Sequence, residues 1–566
     1  MSTDPTSDYA AGQGSEGVPA PEGRANMIDT DYVIGQDNYT TRKLGINIDL
    51  HGKVFSISSI SVVFFVLLTL ALPSVAETVF SAIRGFLTDK FDWFFLLAGN
   101  VFVILAISLI FTPLGRVRLG GANAKPDFSY SGWFAMLFAA GMGIGLMFYG
   151  VAEPIGHFES SFQGTSVEAQ ARAGEAAEGS TARSDWAPLG AAYNDRETAA
   201  DLGMAATIFH WGLHPWAIYA MVALALALFS FNKGLPLTIR SIFYPILGER
   251  VWGWPGHIVD ILAVFATLFG LATSLGIGAQ QAGAGLAYLF EGIPNNDVTL
   301  VLLITGITLF ALGSVVLGVD KGVQRLSQLN MILAGLLLLF VLAVGPTLLL
   351  ATSFFENLWN YTKNVVPLSN PFGREDTNFM QGWTAFYWAW WISWSPFVGM
   401  FIARVSRGRT VREFLIAVLL VPTVISVLWM TAFGGTAIDQ FISQGFTGVK
   451  EADLELKLFV MLAELPLASI TSFIGITLVI VFFITSSDSG SLVIDAITAG
   501  GKVDAPKPQR IFWALIEGAI AIALLLGGGL SALQAMAVST GLPFALVLLI
   551  GCYAIVRGLM DEPRAK

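Results

Sequence analysis

The sequence predicts an all-α membrane protein with twelve transmembrane helices. Three observations carry this. The 566 residues are 54% hydrophobic and only 13% charged, where a soluble chain carries about 25% charged residues. The apolar residues come in blocks of about 20, the length that crosses a bilayer as a helix. The segments between blocks alternate in basic charge, as loops on opposite sides of a membrane do.

Residues 1–53 are rich in Gly, Ser, Asp and Pro, and are expected to form a disordered tail. No basic segment leads into a short apolar stretch and cleavage site, so no signal peptide is expected. The core runs over 54–557. Its blocks lie near 54–76, 91–115, 131–152, 205–231, 256–290, 298–319, 327–352, 378–403, 412–434, 468–499, 509–528 and 531–557. Residues 353–366 read as a short amphipathic segment. Loops after even-numbered blocks hold 15 Lys and Arg, against 9 in the longer loops after odd-numbered ones. The positive-inside rule then puts both termini in the cytoplasm of a plasma (inner) membrane protein. Residues 153–204, with many acids, read as an external polar insertion, and 558–566 as a short cytoplasmic tail.

Two blocks carry helix breakers. The third has AAGMGIGLMFYG at 139–150, and the eighth has SWSPF at 393–397 with Pro396 in mid-span. They lie five blocks apart, in matching places of two five-block units, about 131–352 and 378–557. Paired interruptions of this kind point to an inverted-repeat transporter with its site at the breaks. The glycines alone also suit a plain helix-packing face.

The eighth block reads WTAFYWAWWISWSPF from Trp383 to Phe397. Trp383, Trp390, Trp391 and Trp394 share one broad helical face, and Trp388 points elsewhere. The fourth block adds Trp211, Trp216 and Tyr219. Membrane tryptophans ordinarily form an interfacial belt, whereas four on one face beside a break favour an aromatic cage. Indole faces attract quaternary ammonium, about 2 kcal/mol per desolvated ring. Unwound-helix N–H groups would hold a carboxylate at the other end of a zwitterion.

The rest excludes other classes. One cysteine, Cys552, leaves no disulfide or cysteine metal cluster. The five histidines lack metal-binding spacing; His210 and His214 at i, i+4 have no third ligand, and read as helix-packing donors. No nucleophile motif or acid–base pair supports an enzyme, no cofactor is expected, and the net charge of −10 gives nucleic acid no purchase. A channel would need ready exit rather than a binding cage.

GWTAFYWAWW over 382–391, then ISWSPFVGMF, with AAGMGIGLMFYG and FHWGLHPWAIY at 209–219, closely resembles the betaine/carnitine/choline transporters, the sodium-coupled glycine betaine permeases above all. The resemblance implies a LeuT-like fold, two inverted five-helix repeats after two extra N-terminal helices, in a homotrimer. It implies a substrate cage of Trp211, Trp216, Tyr219 and Trp391, with Trp388, Trp390, Trp394 and Met142 along the path. It implies sodium as coupling ion, held by Ala139, Met142, Phe482, Thr485 and Ser486. A second cation site would use Thr267, the residue one turn later, Phe397 and an eleventh-span position. Those two further positions are Leu271 and Glu517 here, so hydroxyls are lost and a carboxylate arrives. Glu517 would bind sodium, carry a proton, or face a crevice. Osmosensing relatives carry a long basic C-terminal helix, and nothing like it follows the last block. The expected function is sodium-coupled import of glycine betaine or a similar zwitterion. The alternative is proton-coupled or exchange transport of choline, carnitine or ectoine.

Overall fold

The structure is a computed structural model that describes residues 19–43, 46–141, 143–163, 185–192, 195–317, 320–502 and 506–564, the side chains at 43, 46 and 314–324 excepted. It is helical nearly throughout. The longer helices are α1 (Gly52–Ala71), α2 (Pro73–Phe111), α3 (Tyr130–Gly141), α4 (Ile144–Gln163), α5 (Arg196–Trp211), α6 (Leu213–Ala227), α7 (Trp254–Leu289), α8 (Asp297–Leu317), α9 (Asp320–Val344), α10 (Thr347–Ser369), α11 (Ala385–Val405), α12 (Val411–Gln444), α13 (Ala468–Thr498), α14 (Lys507–Leu526) and α15 (Gly529–Met560). Among the described residues nine stretches are long and apolar enough to cross a membrane, or ten if the bent pair α3–α4 counts as one. The helix α8 meets the criterion only in part, and α11 is too rich in Trp and Tyr to register as strongly apolar.

Local chemistry sets the ends. Pro73 opens α2 at a position where its missing N–H costs nothing. Thr410 and Glu413 form a reciprocal capping box on α12, at 3.2 and 2.9 Å. Asp195 caps α5 through Thr198 N–H. At the centre, α11 packs against α6, α15 and α7, while α4 packs against α5 and α12.

Four expectations are corrected. The segment 1–53 is no featureless tail where it is described: Asn38–Lys43 (β1) pairs antiparallel with Ile46–His51 (β2). The polar insertion does not begin at 153, because α4 runs to Gln163 with Glu153 and Glu159 buried, and α5 starts at Arg196. The amphipathic segment 353–366 is the middle of α10, and the break before it falls at Gly345–Pro346. Finally, α11 is continuous through Pro396. Proline removes an N–H and frees the carbonyl of Ile392 one turn back. Ser395 Oγ donates to that carbonyl at 2.6 Å, so the helix needs no break.

Residues 19–43 and 46–51 form a strap across one face of the molecule. Glu22 pairs with Arg407 beyond α11 at 2.7 Å. Asn26 N–H donates to Glu562, which also pairs with Lys233 at 2.7 Å. The Tyr32 ring stacks on Trp252, and its hydroxyl accepts from Arg240 at 2.9 Å. Arg240 in turn pairs with buried Asp260 at 3.1 Å. Asn38 reaches Ala499 O, and Asp49 reaches Lys502.

Candidate substrate site at a broken helix

The third predicted span is broken where its glycines lie. α3 ends at Gly141 and α4 begins at Ile144, with a bend of 65° between them. Met142, proposed for both substrate and sodium, lies outside the described residues. Gly143 and its neighbours line a cavity of about 50 Å3, together with Trp211, Tyr219, Ser274, Trp390, Trp391 and Trp394.

The fourth span is also interrupted. Gly212 separates α5 from α6 with φ −97° and ψ −133°. The freed N–H of Leu213 donates to Tyr361 Oη at 2.9 Å, so α10 braces the break. This puts Trp211 on one side of the kink and Trp216 and Tyr219 on the other.

Trp391 is the hub of the rings. Its centroid lies 5.5 Å from Trp211 at 80°, 5.9 Å from Trp216 at 61°, and 4.9 Å from Tyr219 at 58°. Edge-on rings present faces to a shared space, the geometry an aromatic cage requires. Trp216 and Trp391 keep indole N–H groups with no partner among the described residues. Trp390 donates to Ser274 Oγ at 3.0 Å and Trp394 to Gly270 O at 2.8 Å, locking α11 to α7. Glycine is required at 145: a Cβ there would stand 2.7 Å from Trp390 and 2.9 Å from Trp211.

Trp388 is placed elsewhere, against the expectation that it lines the path. It is fully buried, stacked on His214 at 8° and packed on Phe209 beside α2. It lies about 120° around α11 from Trp394 and about 160° from Trp390 at 100° per residue, which turns it from the cavity those two line.

A second cavity, about 160 Å3, joins Ala139, Phe482, Thr485 and Ser486 with Ser489, Asn330, Trp394 and Phe397. The described residues of the expected sodium site therefore meet, next to the broken helix. The sequence reading missed Asn330. Its buried amide has no partner among the described residues, and a lone Asn in the apolar run of α9 was the available signal. The second cation group does not gather. Thr267 Oγ1 donates to Ala263 O, Phe397 lines the cavity just described, and Glu517 accepts from Ser487 at 2.9 Å. Leu271 fills the space over Gly490, where a Cβ would be 2.2 Å away.

The sequence profile of the BCCT family, described as betaine/carnitine/choline family transporter, matches residues 53–184 and 176–564. The chain belongs to the betaine/carnitine/choline transporter family. A glycine betaine/proline/choline transporter of Vibrio parahaemolyticus is 62% identical, over 97% of both chains. A glycine betaine transporter of the same organism is 53% identical, over 95% of this chain and 98% of its own. A glycine betaine transporter of Bacillus subtilis is 43% identical, over 87% and 91%. This betaine/carnitine/choline transporter is thus a multi-pass membrane protein that moves solutes and is not an enzyme.

Proposed function

We propose that the transporter imports a small quaternary-ammonium zwitterion, glycine betaine foremost, coupled to sodium. The single observation that carries this is the ring geometry: Trp211, Tyr219 and Trp391 line a cavity at the break between α3 and α4, and Trp216 backs Trp391 without lining it. A cation that donates no hydrogen bonds is held by ring faces, and its carboxylate by free N–H groups. Two of the relatives named above are glycine betaine transporters and the third is a glycine betaine/proline/choline transporter, in keeping with this choice. Sodium would sit among Ala139, Phe482, Thr485 and Ser486, where carbonyl and hydroxyl oxygens suit a hard cation. Each charge moved inward gains about 2.3 kcal/mol per 100 mV.

The architecture we infer is twelve crossings, α8 and α11 among them, with inverted units over about 131–352 and 378–557 in a trimer. The strap face, which carries Lys233, Arg240, Arg407 and Lys502, would be cytoplasmic in a plasma membrane.

A proton-coupled or exchange reading for choline, carnitine or ectoine draws on one observation. Glu517 is fully buried, and its Oε1 has no partner among the described residues. A carboxylate so placed is paired, neutralised or used. Uptake of radiolabelled betaine, choline, carnitine, ectoine and proline by a strain lacking its own carriers, with and without sodium, decides between them. Betaine uptake that vanishes without sodium is expected. Sodium-independent uptake that loses its pH dependence in Glu517→Gln would overturn the sodium reading.

A further inference from the structure

Directly behind the cage lies a carboxylate that the sequence reading placed in an external loop. Glu153 on α4 is fully buried, four residues before His157 on the same helix. Its Oε1 meets His210 Nδ1 at 2.6 Å and His157 Nε2 at 3.2 Å. Its Oε2 accepts from Trp211 Nε1 at 2.7 Å and from Tyr387 Oη at 2.5 Å. His210 Nε2 meets Thr384 Oγ1 at 3.0 Å, and its ring stacks on Tyr387 at 5°.

Glu153, His157 and His210 lie close enough to hold a metal ion, their ligand atoms within 4.8 Å of one another. The hydrogen bonds argue otherwise. An ionised carboxylate offers about four acceptor positions, and four partners from three helices take them. A buried carboxylate is costly unless so satisfied, and so satisfied it fixes what surrounds it.

We propose that Glu153 is the positioning residue of the cage: its carboxylate holds Trp211 edge-on to Trp391 and ties α4, α5 and α11 together behind the substrate. This rests on the reading that the cavity binds a quaternary ammonium. Trp211 reaches the cavity with its ring and Glu153 with its N–H. Without that anchor the indole is free to turn about χ2, and the face offered to the cation is lost. Glu153 itself does not line the cavity.

The test is a double-mutant cycle on betaine uptake in the full-length transporter. Glu153→Gln keeps the shape but removes the charge and replaces one of the two carboxylate oxygens by an NH2 group. It should raise the betaine KM about tenfold to a hundredfold, the worth of a charge-assisted hydrogen bond, with a smaller change in maximal rate. Trp211→Phe keeps a ring and loses the N–H. If Glu153 acts through Trp211, the two changes combine to less than their product. Tyr219→Leu, whose ring meets Trp391 from the far side of the Gly212 break, should multiply in full with Glu153→Gln. If Glu153→Gln fails to reach the membrane, Glu153→Asp replaces it, because the shorter side chain withdraws from Nε1. Full multiplication of the Glu153 and Trp211 effects overturns the positioning role while leaving the cage intact. An unchanged KM in Trp391→Leu, which removes the ring, with betaine still taken up, sinks the cage reading instead.

Discussion

Trp391 and Trp388 lie three residues apart on α11 yet touch different things. Trp391 meets Trp211, Trp216 and Tyr219, whereas Trp388 meets His214 and Phe209. Trp391→Leu removes one desolvated cation–π partner, about 2 kcal/mol, and should raise the betaine KM roughly thirtyfold with the protein still inserted. Trp388→Leu should leave KM unmoved and lower thermal stability in detergent by about 1–3 kcal/mol through lost packing. A KM rise in Trp388→Leu equal to that in Trp391→Leu would show that the cavity is misassigned. At the second cavity, Thr485→Ala with Ser486→Ala removes both hydroxyls beside the helix break. The sodium concentration for half-maximal uptake should then rise at least about tenfold, since each ligand lost leaves the ion under-coordinated. Unchanged sodium dependence places the ion elsewhere. Residue type made the rings legible, because Trp at helical spacing advertises a face. Glu153 was not legible: three of its four partners stand at 210, 211 and 387, and no local pattern announces contacts so distant in sequence.

Ser395 shows how an element escapes a sequence rule. Pro396 frees the Ile392 carbonyl, and the neighbouring hydroxyl takes it up at 2.6 Å. Ser395→Ala should leave that buried acceptor unpaired, at about 1–3 kcal/mol, and lower the melting temperature in detergent. A Ser395→Ala protein that melts with wild type would mean that the carbonyl finds relief by another route. The apolar helices were legible because a bilayer allows backbone only helices or closed barrels, and apolar runs of about 20 residues suit the helix. The break between α3 and α4 was legible too, since Gly141, Gly143 and Gly145 cluster as no helix interior would. The break at Gly212 and the continuity at Pro396 were not. Each depends on one hydroxyl, of Tyr361 and of Ser395, arriving at a freed backbone group. The hairpin at 38–51 escaped as well, because its polar residues are satisfied by Ala499 and Lys502 far along the chain.

Across the whole molecule the strap depends on pH through His51. Its ring caps α1 by accepting from Val54 N–H at 3.2 Å, beside Arg240. Burial, then Arg240 and His257, lower its pKa from 6.5 to about 3. The undocked strap therefore binds the proton more readily than the docked one. Docking is at full strength above pH 6.5 and weakens as the pH falls toward 3. Proteolytic nicking within residues 19–51 should accelerate as the medium is acidified below pH 6.5. His51→Asn, which caps without titrating, should flatten that response. An equally steep acid response in His51→Asn would assign it to another group.

The same strap has a consequence for how the protein is made. Asn26 bonds to Glu562, 536 residues later in the chain. At about 5–20 residues per second, the first segment to leave the ribosome waits roughly half a minute to two minutes for that partner to be synthesised. Until then Asn26 is unpaired at Glu562, and Lys233 beyond α6 lacks its carboxylate. Any fragment ending before Glu562 lacks the last fastening of the strap, the one at Asn26.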